Sequence, residues 1–120
     1  MIKLPKFSPQ NMYDAETQFN LFMNKERLSK FLIHYELFKK INKINGSIVE
    51  CGVFKGTSLS RFAMMRELFF KQNKKKLIAF DVFSDKFPNT KFENEKIQRS
   101  HWIKTAGGSS IAPSQLHKIF

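Results

Sequence analysis

Cysteine occurs once in this chain of 120 residues, as Cys51. A single thiol closes no internal disulfide and supplies no cysteine-based zinc site, so the composition fits a reducing cytoplasm. Long apolar runs are also missing. No stretch approaches the ~18 residues that cross a bilayer, so no membrane partner is expected. The start, Met1-Ile2-Lys3-Leu4-Pro5-Lys6-Phe7, lacks the apolar segment and small-residue cleavage site of a secretory leader. Arginine is scarce at four residues (Arg27, Arg61, Arg66 and Arg99), although Lys and Arg together number 21 against 10 acids, a formal charge of +11. Arginine is the side chain that reads phosphates and base edges with a bidentate fork. A positive charge carried by scattered lysines, with one dense run at Lys74-Lys75-Lys76, argues against nucleic acid as the main partner. Glycine is scarce too, and its five residues fall in three turns: Gly46, Gly52 with Gly56, and Gly107-Gly108.

What is abundant is apolar and aromatic surface. Hydrophobic residues make up 42% and aromatics 14%, with 14 phenylalanines. That is a globular composition rather than a disordered one. The length allows one domain.

Residues 1–25 read as an N-terminal arm or short lead-in helix, and residues 26–120 as the domain. From Glu26 to Ile44 the residues Leu28, Phe31, Leu32, Tyr35, Phe38 and Ile41 recur at three- and four-residue steps, which predicts one amphipathic helix closed by Asn45-Gly46. Ser47 to Val53 is short and almost continuously apolar up to Glu50, as a parallel strand covered on both faces would be. A helix is predicted from Thr57 to about Lys71, apolar on more than one side, and a second strand from Leu77 to Val82. Strand, helix and strand together predict a right-handed βαβ crossover. After Asp81 come a polar, charged stretch to Lys104, a loop from Thr105 to Ser110 and the start of a helix at Pro113.

The chemistry concentrates where the two strands end. Glu50 closes the first strand, and the chain then turns through Gly52 and Gly56 into a helix starting at Thr57 and Ser58, with Phe54 inside the turn. Glycines there let a ligand approach the backbone, and the helix start offers unpaired N–H groups to an anionic moiety. Thr57 and Ser58 either cap the helix or donate to the ligand. Asp81 closes the second strand, 29 residues after Gly52. A carboxylate at that tip can accept from two ribose hydroxyls, as in dinucleotide folds; the plainer reading is a turn residue after a strand. The spacing Gly52-x-x-x-Gly56 lacks the middle glycine of a dinucleotide fingerprint, and Lys55-Gly56-Thr57 puts the lysine before the glycine, the reverse of a P-loop. What remains is E-x-G-x-x-x-G-x-S.

The stretch Val49 to Ser58, followed by Phe80-Asp81-Val82-Phe83 and Phe87-Pro88, resembles the macrocin O-methyltransferase family, and the segment Ala106 to Leu116 resembles that family's lead into its next helix. The resemblance covers about residues 26–120. It implies a class I, Rossmann-like α/β fold with a doubly wound parallel sheet, S-adenosylmethionine (SAM) as cofactor, and methyl transfer to a hydroxyl of a sugar or glycosylated small molecule. On the matching positions it implies cofactor binding by Glu50, Gly52, Gly56, Ser58 and Asp81, and Phe54 and Thr57 in the same turn complete the expected cofactor-binding set. Family members continue well beyond this length, into the adenine-side acid and the aspartates that hold a divalent metal such as magnesium and activate the acceptor. The chain is therefore expected to be an incomplete, amino-terminal part of such a domain, inactive alone, with an open strand edge that invites a homo-oligomer. No catalytic residue is assigned within it. Two other readings stay open: a non-catalytic Rossmann-type fragment or binding module, and a basic nucleic-acid-binding protein that would be contacted around Lys71–Lys76.

Among the remaining candidates, His34, His101 and His117 lie in unlike contexts and predict no metal site, with His34 at the rim of the amphipathic helix. Cys51 reads as a small packing residue on a buried strand, and Glu93 and Glu95 as solvated surface. Trp102, with Phe87 and Phe92, either lines an acceptor pocket or fills core.

Overall fold

A computed structural model describes residues 6–41, 43–69, 75–84, 91–108 and 110–118. The predicted contribution of Phe87-Pro88, the loop residues 71–74 and Ser109 lie outside them.

Five helices and two strands follow in the order α1 (Pro9–Phe22), α2 (Lys25–Lys40), β1 (Ile48–Cys51), α3 (Thr57–Phe69), β2 (Leu77–Phe80), α4 (Glu93–Ala106) and α5 (Pro113–Leu116). Each of the first two helices has a polar cap. The Ser8 hydroxyl accepts from Asn11 N–H at 3.1 Å with Pro9 opening α1, and the Asn24 side chain accepts from Arg27 N–H at 3.0 Å. α1 buries none of its residues. α2 stops at Lys40, with Ile41 as its right-handed cap, so the predicted stop at Asn45-Gly46 is corrected. Gly46 instead takes a φ of 132° in the link to β1.

β1 and β2 pair in parallel, with Ile48 opposite Leu77 and Glu50 opposite Ala79. Both strands alternate between half-buried and exposed residues. Ile48, Glu50, Leu77 and Ala79 turn toward the helices, while Val49, Cys51, Ile78 and Phe80 face outward. Two expectations fail here for one reason. Among the described residues one face of the sheet is left exposed, and Cys51 is exposed rather than packed, because strand alternation that turns Glu50 inward must turn Cys51 out. Among the described residues the architecture is thus a helix-rich α/β unit with a two-stranded parallel sheet.

The core has two parts. Phe38 of α2 and Met65 of α3 are buried against Tyr35, Ile41, Ile48 and Phe62. Val53, Leu59, Ile111 and Leu116 form the second cluster, with Leu77, Ala79 and Phe83 packed on it. Of the predicted α2 stripe only Phe38 is fully buried; Leu28, Phe31 and Leu32 are exposed. α3 buries Leu59, Arg61, Ala63 and Met65 and leaves Met64, Leu68 and Phe69 exposed, so it packs into both clusters, through Leu59 into one and Met65 into the other, and keeps one apolar strip outside.

The polar, charged stretch before Lys104, to which the sequence assigned no element, contains the helix α4, which runs on to Ala106 into the predicted loop. Glu93 and Glu95 sit in its first turn and Lys104 in its last, as the helix dipole favours. Gly107, with φ 64°, donates its N–H to the Ile103 carbonyl at 2.9 Å and closes it. Glu93 is solvated as expected and pairs with Lys96 one turn along the same helix. Lys75, from the dense lysine run, is buried rather than presented to solvent, and its ammonium donates to the Ile44 carbonyl.

Candidate functional site

The turn from β1 into α3 is built from residues with positive φ: Gly52 at 85°, Phe54 at 51° and Gly56 at 77°. Phe54 is the unusual member, since a side chain in that region is strained. Asp81 holds it. One carboxylate oxygen accepts from Phe54 N–H at 2.7 Å and the other from Phe83 N–H at 3.2 Å. Phe83 is the other non-glycine residue with positive φ, at 50°. A single carboxylate thus ties the turn after β1 to the turn after β2. Burial pushes the Asp81 carboxyl upward, but the backbone N–H groups of Phe54, Phe83, Val82 and Val53 outweigh it and leave the group below the ordinary value of 3.8.

The two turn glycines do different work. Gly52 opens on space: a Cβ built there meets nothing within 4 Å. Gly56 is buried, and a Cβ there would come within 2.8 Å of the Leu116 side chain. Gly52 therefore gives access to the backbone, while Gly56 lets α5 pack. α5 is brought in by Ile111 N–H and the Ser110 hydroxyl, which both donate to the Phe54 carbonyl, at 2.8 and 3.0 Å. α4 closes a side of the same turn. The Trp102 ring lies 4.5 Å from that of Phe54, and the Lys55 ammonium donates to the Ala106 carbonyl at 2.5 Å.

Beside this turn lies a pocket of about 380 Å³. Gly52, Phe54, Thr57 and Ser58 line it, as do Arg27 and Lys30 from α2, Lys55, and Thr105 and Ala106 from the end of α4. Four of the seven sequence-selected positions thus share one cavity. Of the other three, Asp81 holds the backbone of Phe54, which lines the cavity, Gly56 packs against Leu116, and Glu50 sits within electrostatic reach of Ser58, Lys30 and Asp81. Arg27, Lys30, Thr105 and Ala106 were not legible in the sequence: they are brought in by helix docking, from positions far along the chain, with no motif to mark them.

Glu50 is the electrostatic anomaly. Its Oε2 is buried and has no hydrogen-bond partner. Burial raises its carboxyl above the usual 4.5, the Ser58 hydroxyl and Lys30 draw it part-way back, and Asp81 adds to the rise. A raised acid favours the proton-bound fold, so this group supports the fold below about pH 4.5 and costs stability as pH rises through the window above it. Glu50→Gln is therefore expected to stabilise the free protein at pH 7, by about 1 kcal/mol or less given partial solvent screening. Comparing urea melts of the two proteins at pH 4 and pH 7 checks this; the difference should appear at pH 7 and shrink at pH 4.

His34 is half-buried against Phe62, with ring centroids 4.9 Å apart, and its Nδ1 is buried without a partner. Burial, Arg61 and Lys30 all push its pKa below the ordinary value, which favours the uncharged ring. Among the described residues no three His, Cys, Asp or Glu side chains gather as a metal site, and no helix is long and apolar enough to cross a membrane.

No known family profile matches the chain, and no curated protein matches it. A solved structure does: the crystal structure of CalS11, a calicheamicin methyltransferase, is similar over 84% of this chain with a TM-score of 0.55 and 20% sequence identity. The match covers 48% of that protein, so this chain spans about half its length. The likeness is one of fold, and it relates the chain's α/β unit to that of a methyltransferase.

Proposed function

We propose that the chain is the cofactor-binding part of a SAM-dependent O-methyltransferase of the macrocin O-methyltransferase type, with an incomplete Rossmann-like domain. The observation that carries this reading is the buried, unpartnered Oε2 of Glu50 beside a turn left open at Gly52. A buried acceptor without a donor is costly in a protein by itself. The ammonium group of a SAM methionine moiety would satisfy it, directly or through water, while the carboxylate of the same moiety lies toward the N–H groups that open α3. Asp81 stands at the tip of β2, the place where a carboxylate suits ribose hydroxyls. Trp102 and Phe54 offer an aromatic wall.

When bound, SAM supplies a methyl group activated on sulfonium. The part played by this chain is binding and orientation, which lowers the barrier by fixing the methyl carbon in line with an acceptor hydroxyl. A sugar or glycosylated small molecule is the acceptor class that the resemblance suggests, and the fold neighbour's action on calicheamicin is in keeping with it.

Calorimetric titration with S-adenosylhomocysteine tests the reading. The chain is expected to bind it, and Gly52→Ala to weaken binding at least tenfold because the new Cβ occupies the open space. Gly46→Ala is the control. That glycine also has positive φ and open surroundings but does not line the pocket, so binding should be unchanged. No binding by the wild-type chain, or equal binding by Gly52→Ala, overturns the reading.

A further inference from the structure

The cofactor pocket has an excess of positive charge. Arg27 and Lys30, three residues apart on α2, share a helix face and line it together with Lys55. Behind them Arg61 of α3 is only 9% exposed, with its guanidinium 5.3 Å from the centre of the Phe31 ring. Burial and the neighbouring Arg27 both lower the pKa of Arg61. Among the described residues no carboxylate forms an ion pair with Arg27, Lys30 or Arg61, and the first turn of α3 holds no acid. A buried guanidinium without a counter-charge is unfavourable unless something else supplies one.

SAM does not supply it. Its sulfonium and ammonium outweigh its one carboxylate, so it enters with a net positive charge. Glu50 and Asp81 are the acids at the site, but Glu50 is taken by the cofactor's ammonium in the reading above and Asp81 is held by the backbone N–H groups of Phe54 and Phe83. We propose that Arg27 and Lys30, backed by Arg61, form an oxyanion subsite beside the cofactor, and that the acceptor carries a phosphate group, as a glycosyl phosphate or a nucleoside-diphosphate sugar does. This rests on the reading of the pocket as a SAM site. The guanidinium fork matches two phosphate oxygens at once, and the ammonium adds a point charge. A multiply charged oxyanion offsets several cations, which a neutral sugar cannot do.

The test is a titration of the S-adenosylhomocysteine-loaded chain with inorganic pyrophosphate, with glucose 1-phosphate and with neutral methyl glucoside. Both phosphates are expected to bind more tightly than methyl glucoside, with affinity falling as salt rises. Tighter binding of pyrophosphate than of glucose 1-phosphate points to the diphosphate sugar, and the reverse to the glycosyl phosphate. Arg27→Gln and Lys30→Gln should each weaken pyrophosphate binding about tenfold. Both side chains are exposed, and a thermal melt confirms that each variant folds. Displacement of S-adenosylhomocysteine by pyrophosphate overturns the proposal, because the cations would then serve the cofactor's own carboxylate. Unchanged affinity in both variants overturns it as well. Failure of the cofactor reading is separately visible: the wild-type chain would bind pyrophosphate through Arg27 yet bind no S-adenosylhomocysteine, and the acceptor assignment would fall with that reading.

Discussion

Asp81→Asn is expected to loosen the turn after β1 and the turn after β2 together and to weaken S-adenosylhomocysteine binding at least tenfold. The carboxylate holds Phe54 and Phe83 in positive-φ conformations through two N–H bonds of 2.7 and 3.2 Å. Each such conformation costs about 1–3 kcal/mol when nothing enforces it. Hydrogen bonds to a charged acceptor contribute about 1.5–3 kcal/mol, and an amide keeps an acceptor on one side only. The expected loss of stability is about 2 kcal/mol. The pH dependence has a definite sign. The Asp81 carboxyl is held below 3.8, so its contribution is complete above that value and is lost as pH falls through the lower, folded value. Acid unfolding of the wild-type protein should show this component, and the Asn variant should lack it. Denaturant melts together with calorimetry at pH 7 separate two roles for the residue. A loss of stability with unchanged ligand affinity means that the braced turns do not hold the ligand; a loss of affinity with little loss of stability means that Asp81 meets the ligand itself.

Phe38→Ala is expected to cost about 3–5 kcal/mol, the usual range for emptying a buried aromatic site. Phe38 is 1% exposed and packs against Met65, with Phe62 stacked at 6.3 Å and Phe69 tilted at 6.4 Å between ring centroids. It joins α2 to α3, so its loss also withdraws Arg27 and Lys30 from the pocket wall. Thermal melting should fall by roughly 10 °C or more, at about 3–5 °C per kcal/mol for a chain of this size. Leu32→Ala is the comparison. It belongs to the same apolar periodicity but is 51% exposed, so its cost should stay below about 1 kcal/mol. Equal costs at the two positions would mean that the α2 stripe is covered by something other than α3.

The contrast between Phe38 and Leu32 also shows what was legible. Periodicity marks which residues of a helix are apolar, and it placed α2 and α3 nearly correctly. It does not say how wide a stripe the neighbours cover, and here only a narrow line is buried. α4 escaped because its amphipathic signal is weak: its order comes from charges matched to the helix dipole, from Gly107, and from contacts of Trp102 and Ala106 with the turn after β1. Cys51 was misplaced because a short, nearly continuous apolar strand does not reveal that one of its faces is open.

The local chemistry followed from the chain alone. Glu50 and Asp81 at two strand ends, glycines in the first turn and a helix start at Thr57 are features of neighbouring residues, where backbone geometry depends on residue type over short distances. The tertiary structure decided the rest. It separated Gly52, which opens on the pocket, from Gly56, which lies under Leu116. It turned Asp81 toward the backbone of Phe54 and left Glu50 Oε2 buried without a donor. It also brought Arg27 and Lys30 to the pocket. Each of these depends on how α2, α4 and α5 dock on the sheet and its turns. Docking is set by the summed packing of surfaces far apart in sequence, which no local pattern encodes.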